Sequence, residues 1–225
     1  MIEHLLKESY PSYWDFDRGI VSLSVTHHVQ SFVLSDMKAC RSCHQSRPER
    51  SRCNEEVLKV ELNGEDVAVV DFEMYAGQFD NTPLAIKSRC DYLLADGDIG
   101  SHVKIAFCDL TCSDSKYVEP NNGRYVLGKR AKAREQMKSS INALLRVPLV
   151  AHYILTFPKK VGLFGWRDYE NCGMLNSSIH RSARESMSVF MKTPTSQANL
   201  LQSTVEIMDH DFHFVQVKYP MSYEW

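Results

Sequence analysis

The sequence predicts an α/β fold in which a mixed central sheet is flanked by helices, built as a single domain over residues 1–225. Two apolar, strand-like segments, around 84–95 and 102–111, follow one another closely in the chain. The segment 128–147 then carries apolar residues at helical spacing. These residues are Met137, Ile141, Leu144 and Leu145. With 225 residues and 44% hydrophobic content, the chain can bury one sizeable core.

Composition and charge limit the classes of protein to which the chain can belong. A formal net charge of -2 differs from the strongly basic balance of a nucleic-acid coat protein, so any nucleic-acid contact must use a local basic patch. No apolar run approaches the roughly 20 residues of a membrane helix, and the first residues do not resemble a secretory signal. We therefore expect a cytoplasmic protein with no membrane partner, whose seven cysteines form no disulfide framework.

The first third of the chain contains one helix signal and several strand signals. Residues 2–8 predict a short helix, and alternating apolar and polar residues in 19–34 predict a half-buried strand that ends near His27 or resumes after a kink. The polar, cysteine-containing segment 37–53 is interpreted as an exposed loop. Asn63-Gly64 is a strong hairpin signal, so 57–75 is predicted to be an antiparallel pair of strands.

The rest of the chain alternates strands with helices. A cluster of turn residues separates the strand at 102–111 from the helix at 128–147, which Pro148 ends. Three further elements are then predicted: a strand over 151–157, a helix over 178–192 and a closing strand over 212–217.

Two neighbouring strands each supply one carboxylate. The first carries Arg89-Cys90-Asp91-Tyr92-Leu93-Leu94, and the second carries Ile105-Ala106-Phe107-Cys108-Asp109-Leu110-Thr111. The helix that follows contains Lys132-Ala133-Arg134-Glu135-Gln136-Met137. Carboxylates on adjacent strands are how many phosphodiesterases hold a divalent metal, which prefers hard oxygen ligands. The structural alternative to a metal site is a pair of aspartates that face solvent.

Over residues 84–157, this pattern resembles the core of the PD-(D/E)XK restriction-endonuclease-like nuclease superfamily. The resemblance implies a restriction-endonuclease-like core in which Asp91 and Asp109 hold Mg²⁺ and Gln136 lies beside the catalytic site. It also implies a lysine two residues after Asp109, where this chain has Thr111. The motif is therefore degenerate at one catalytic position.

The missing lysine leaves three alternatives open. A lysine from elsewhere reaches the site, with Lys87, Lys104 and Lys129 as candidates; a second metal replaces it; or the fold has been kept without the chemistry. Losing one group that stabilises transition-state charge typically costs about 10²–10³ in rate. Glu73, interpreted as lying on the preceding strand, is the candidate third metal ligand, with an exposed strand glutamate as the ordinary alternative.

Two further clusters have a functional and a structural interpretation. A basic run at the start of the predicted helix would suit DNA phosphates, although such a run is usually only the solvated face of a helix. Its residues are Lys129, Arg130, Lys132 and Arg134. In the loop, a close pair of cysteines is followed by a histidine and a third cysteine, which are the ligand types of a Zn²⁺ site. These are Cys40, Cys43, His44 and Cys53, and they lack a second close pair.

The sequence thus supports two hypotheses from different classes. One is a metal-dependent nuclease, or a nuclease-derived subunit, that acts on DNA in prokaryotic defence against phage or plasmids, a setting that the resemblance implies. The other is a catalytically silent nuclease fold that serves as a scaffold or recognition subunit of a multiprotein complex. The aromatic segment 219–225 favours a protein partner, unless it packs on its own body.

Overall fold

The computed structural model describes residues 1–36, 56–97, 103–113, 117–120, 127–167 and 206–225. Within these residues, the protein has three layers: helices, a large mixed sheet and a small sheet. The predicted α/β class with a mixed sheet flanked by helices is therefore confirmed.

The large sheet has seven strands, in the order β1-β4-β5-β6-β7-β9-β8. Strands β1, β4, β5 and β6 pair antiparallel, β6, β7 and β9 run parallel, and β8 returns antiparallel to β9. The parallel pair β6 and β7 is joined by a helical crossover, as parallel strands require. The strands are β1 (Val25–His28), β4 (Val67–Asp71), β5 (Tyr92–Asp96), β6 (Lys104–Cys112), β7 (Lys159–Arg167), β8 (Glu206–Ile207) and β9 (His213–Lys218).

The small sheet covers one face of the large sheet and has the order β10-β3-β2. Its strands are β2 (Phe32–Ser35), β3 (Glu56–Glu61) and β10 (Ser222–Glu224), of which β10 is parallel to β3. Gly165 of β7 permits the close approach of the two sheets, because a Cβ atom at this residue would lie only 2.6 Å from a Leu110 methyl carbon and 2.9 Å from Leu58 Cβ.

Helices cover the opposite face. The first, which we name α1, consists of three consecutive stretches, Ile2–His4, the π-helical Leu5–Ser9 and Tyr10–Tyr13. The others are α2 (Phe72–Gly77), α3 (Gly128–Leu144) and α4 (Pro148–Leu155). Helix α1 confirms the helix signal at 2–8 and extends beyond it, and α3 confirms the longest helix prediction.

Strand β6 separates two apolar cores. Ile105 and Phe107 belong to the core beneath the helices, whereas Ala106, Cys108 and Leu110 belong to the core beneath the small sheet. Because side chains alternate along a strand, Asp109 and Thr111 lie on the same face as Ile105 and Phe107. We call this face the helix face of the large sheet.

The hairpin predicted over 57–75 is wrong. β3 and β4 lie in different sheets, and the chain passes from one layer to the other through the turn at Gly64, whose φ is 93°. The turn signal specified a local change of direction but not the partner of each strand. The return strand is also shorter than predicted, since Asp71 caps a helix that starts at Phe72.

Other differences have similar local causes. The strand predicted over 19–34, with an end near His27 as one alternative, stops at His28 in β1, and residues 32–35 form β2 in the other sheet. Residues 151–157 lie mainly in helix α4 rather than in a strand, because Pro148 starts the helix and Val150, Tyr153 and Ile154 are buried at helical spacing. The strand β7 was not predicted.

Strands β5, β6 and β9 confirm the strand predictions in their segments, although residues 84–91 precede β5 as irregular structure. The predicted helix at 178–192 and the loop at 37–53 fall outside the described residues. Cys90 and Cys108 are buried thiols that form no disulfide.

Candidate functional site

The predicted catalytic residues lie at one edge of the large sheet. Strands β4, β6, β7 and β9 all end at this edge and β5 begins there, because β4 is antiparallel to β5 and β5 is antiparallel to β6. In open α/β sheets, ligands commonly bind outside the carboxyl ends of the parallel strands. We call this edge the site edge.

Asp91 lies immediately before β5. Its side chain, rather than a backbone carbonyl, accepts one of the backbone N–H groups of β6. Its N–H donates to the Cys108 carbonyl at 3.0 Å, and its Oδ2 accepts the N–H of Leu110 at 2.7 Å. The Asp91 carboxylate is therefore held against β6 at Leu110, the residue that follows Asp109 in the chain. Both aspartates are buried, with exposed fractions of 6% for Asp91 and 5% for Asp109.

The two carboxylates act together on neighbouring thiols. Burial raises the pKa of Cys90 and Cys108, and the negative charges of Asp91 and Asp109 raise both pKa values further. The structure thus brings the two predicted aspartates into one buried, electronegative region at the site edge.

Two helices hold the backbone around Asp91. From α3, the Gln136 Nε2 donates to the Arg89 carbonyl at 2.6 Å, and Ser140 Oγ accepts the Cys90 N–H at 3.0 Å. From α2, the N–H groups of Phe72 and Glu73 donate to the Asp91 carbonyl at 2.9 and 3.0 Å. Gln136 therefore contacts the backbone that leads into Asp91, and its role in a catalytic site stays a prediction.

Glu73 differs from its predicted position. It lies in the first turn of helix α2 and not on a strand. In the described part of the chain, no group of three or more histidine, cysteine, aspartate or glutamate side chains converges as a metal site. The structure therefore brings together Asp91 and Asp109 but does not assemble them with Glu73 into a three-ligand centre.

Thr111 lies on the helix face, two residues after Asp109, and pairs with Trp166 of β7. Trp166 pairs in turn with Lys218 of β9, whose Nζ lies 4.6 Å from the centroid of the Trp166 ring. Lys218 was not predicted as a site residue, because the sequence around it does not show which strand lies beside β9.

The three lysines proposed from sequence as substitutes differ in their positions. Lys104 begins β6, at the opposite edge of the sheet, where its Nζ lies 5.3 and 5.2 Å from the ring centroids of Tyr223 and Trp225. Lys87 is exposed in the segment before β5, and Lys129 is half-buried at the start of α3. Lys104 is thus excluded as the replacement by its position.

Part of the basic run on α3 is engaged in ion pairs. The guanidinium groups of Arg130 and Arg134 lie 2.6 and 2.8 Å from the two carboxylate oxygens of Glu206. Lys132 is exposed and Lys129 is half-buried. The predicted DNA-binding surface is therefore reduced in charge at its two arginines, and the interaction with DNA stays a prediction.

The residues 219–225 pack on the protein itself. Trp225 Nε1 donates to Asp96 Oδ1 at 2.6 Å, and the Trp225 backbone N–H donates to the Glu61 carbonyl at 2.9 Å. Of the two interpretations of this segment, docking on its own body is the observed one.

Two other predictions have a limited outcome. The zinc ligands proposed from sequence, Cys40, Cys43, His44 and Cys53, lie outside the described residues. The helices in the described segments are all too short or too polar to cross a membrane.

Comparison with known proteins identified no relative. No family model matches the sequence, and neither the curated proteins nor the solved structures gave a match. The class that the fold and the site define is thus an α/β protein with a mixed seven-stranded sheet and two buried aspartates at the site edge.

Proposed function

We propose that the protein is a metal-dependent nuclease, or is derived from one, with its catalytic centre at the site edge. The observation that carries this proposal is the pair of buried aspartates beside a helix that carries Gln136: Asp109 lies on β6, and Asp91 directly precedes the adjacent strand β5. Two carboxylates buried close together create a strongly electronegative region that attracts cations, so such a pair is typical of a metal or catalytic site.

The donor set suits Mg²⁺, which proteins usually bind through one or two carboxylates and several waters. Asp91 and Asp109 would hold it. The chemistry that the ion supplies when bound is polarisation of the phosphate and activation of water. Leu110 fixes one oxygen of Asp91 through its N–H, and Gln136 fixes the preceding backbone, so the first carboxylate is oriented before any ligand arrives.

DNA is the proposed substrate, and Lys132 and Lys129 at the start of α3 are its proposed phosphate contacts. A role in prokaryotic defence is part of the same proposal and follows from the resemblance described above. This role is inferred from the similarity of the motif and not from a feature of the site.

A second candidate function is that of a catalytically silent scaffold or recognition subunit in a complex. Two observations favour it. Thr111 stands two residues after Asp109, where the resemblance implies a catalytic lysine. The single carboxylate of Glu206 engages both Arg130 and Arg134, which offsets part of the positive charge of the proposed phosphate surface. On this hypothesis, a protein partner takes the place of the substrate.

A cleavage assay separates the two functions. Plasmid and single-stranded DNA would be incubated with the protein and Mg²⁺ or Mn²⁺, in parallel with Asp91→Asn and Asp109→Asn. The control is Asp15→Asn, the same change at an exposed aspartate. The nuclease hypothesis predicts metal-dependent cleavage that both site variants lose and the control retains.

Metal binding gives an independent measurement. Calorimetry with Mn²⁺ is expected to show one site in the unmodified protein and in Asp15→Asn, and none in Asp109→Asn. Metal binding without cleavage would support the silent subunit, whereas the absence of both would refute the proposed metal-dependent centre.

A further inference from the structure

Three side chains with hydrogen-bond donors form a row across the parallel strands at the site edge. Thr111 of β6 pairs with Trp166 of β7, which pairs with Lys218 of β9. Neighbouring residues in register lie on the same face of a sheet, so the row shares the helix face with Asp109. Each member is at or next to the end of its strand.

The row has a cation at one end and an unused donor in the middle. The Lys218 Nζ lies 4.6 Å from the Trp166 ring centroid, at cation–π distance. Trp166 is 7% exposed, and its Nε1–H has no hydrogen-bond partner among the residues described. A buried indole N–H usually finds an acceptor, so its lack of one points to an absent ligand.

Two arginines near the site edge are engaged with other groups. Arg167 follows Trp166, but its Nη1 donates to the Glu56 carbonyl on the small-sheet side. Arg89 is paired with the carboxylate of Asp80, and its second nitrogen lies 3.0 Å from Asp80 Oδ2. In the portion of the chain that is described, Lys218 is thus the cation that the row itself presents.

We propose that Lys218, Trp166 and Thr111 form a phosphate-binding subsite for a phosphodiester of a nucleic acid, adjacent to Asp91 and Asp109. Lys218 supplies the positive charge that Thr111 cannot supply. This inference rests on the proposed nuclease function, which it deepens by naming the source of the cation.

The chemistry of the row matches a phosphate group. An ammonium, an indole N–H and a hydroxyl all donate hydrogen bonds, and phosphate oxygens accept them. Strands lie about 4.8 Å apart, so the backbones of Thr111 and Lys218 are separated by about 10 Å, with the Trp166 ring between them. A flexible lysine stem lets the ammonium approach an anion that accepts the Trp166 Nε1–H beside the edge of the ring, while the ammonium stays near the ring face.

The geometry also separates roles within the site. Asp91 and Asp109 attract a cation, whereas the row beside them attracts an anion. A substrate phosphate placed between them meets opposite charges on its two sides. Lys218 would stabilise negative charge that develops on the phosphate, which is the contribution expected of the lysine absent at residue 111.

Tryptophan-labelled protein provides a test that does not depend on cleavage. The chain has three tryptophans, Trp14, Trp166 and Trp225, so ¹⁵N spectra should contain three indole N–H signals, and Trp166→Phe assigns one of them. Inorganic phosphate and a short oligothymidylate would be titrated separately without divalent metal, against sodium chloride at matched ionic strength. The Trp225 signal is an internal reference, because this N–H is already bonded to Asp96.

We expect both probes to move the Trp166 signal saturably and to leave Trp225 unmoved, with the oligothymidylate acting at the lower concentration. Lys218→Met, which keeps an apolar stem over the ring, should weaken the response roughly tenfold or more, and Lys218→Arg should retain it. The matched control is Lys159→Met, at the opposite edge of the sheet. No response of Trp166, equal movement of all three signals, or an unchanged response in Lys218→Met would each overturn the subsite. A response to inorganic phosphate alone would overturn its assignment to nucleic acid.

Cleavage kinetics then distinguish this inference from the function on which it rests. If the unmodified protein cleaves DNA, Lys218→Met should lower kcat by roughly 10²-fold and leave Mn²⁺ binding unchanged. Equal cleavage by Lys218→Met would overturn the subsite and leave the nuclease function standing. A Trp166 response that depends on Lys218, in a protein that binds no metal and cleaves no DNA, would support the subsite and overturn the nuclease function.

Discussion

Replacing Asp91 should reveal that its carboxylate has a structural role as well as a proposed chemical one. Oδ2 accepts the Leu110 N–H at 2.7 Å, and the residue is 6% exposed. In Asp91→Ala this buried N–H loses its partner, whereas in Asp91→Asn the amide oxygen can still accept it. Both variants remove the same negative charge, so the change in repulsion with Asp109 is common to both.

The difference between the two variants therefore reports the loss of the amide or carboxylate group that accepts the Leu110 N–H, without a difference in charge. An unsatisfied buried donor costs about 1–3 kcal/mol, so Asp91→Ala should be less stable than Asp91→Asn by this amount. For a chain of this size, each kcal/mol lowers Tm by about 2–4 °C, so we expect the alanine variant to melt about 2–12 °C below the asparagine variant.

Urea unfolding followed by circular dichroism gives the free energies, with metal excluded by EDTA. The slope of the free energy against urea concentration should be the same in both variants, since the fold is unchanged. Equal stability of Asp91→Ala and Asp91→Asn would refute the reasoning, because it would mean that the Leu110 N–H does not depend on the carboxylate. The asparagine variant is accordingly the better control in cleavage assays.

Three further predictions concern the rest of the structure. Asp96 accepts three hydrogen bonds, from the backbone N–H groups of residues 103 and 104 and from the Trp225 indole. Asp96→Asn should therefore lower the free energy of unfolding, measured by urea denaturation, by about 2–4 kcal/mol. An unchanged free energy would contradict these bonds. Burial raises the thiol pKa of Cys90 and Cys108, so both should resist iodoacetamide at pH 8 in the native protein, and rapid labelling seen by mass spectrometry would contradict their burial. Burial, and to a smaller extent the charge of His27, lowers the pKa of His28 in the folded protein. As pH falls through about 6.5, His28 is therefore protonated in the unfolded chain before it is protonated in the folded protein, and the folded state loses stability. His28→Gln should reduce the loss in urea midpoint between pH 7.5 and 5.5, and an identical loss would exclude this contribution.

The sequence predicted the pair of aspartates because their surroundings are local. Asp91 directly precedes β5 and Asp109 lies on β6, two strands that are close in the chain and pair with each other, and α3 has a clear helical period. The juxtaposition of these three elements follows from short connections, which usually join neighbours in space.

The sequence could not predict the row that contains Lys218. Its three members lie on strands far apart in the chain, and they become neighbours only through the parallel register of β6, β7 and β9. The same limitation explains the wrong hairpin, since the periodicity of β3 and β4 specifies a strand but not the sheet to which it belongs. In addition, the strand β7, which carries the central residue of the row, was not predicted.

The parallel pairing of β10 with β3 has a consequence for biosynthesis. One edge of β3 is completed only by residues 222–224, which are made long after β3 itself. During translation, the apolar face of β3 and its unpaired backbone groups remain exposed while the intervening chain is synthesised. We therefore expect the nascent chain to depend on chaperones, and to aggregate when translation stalls before β10.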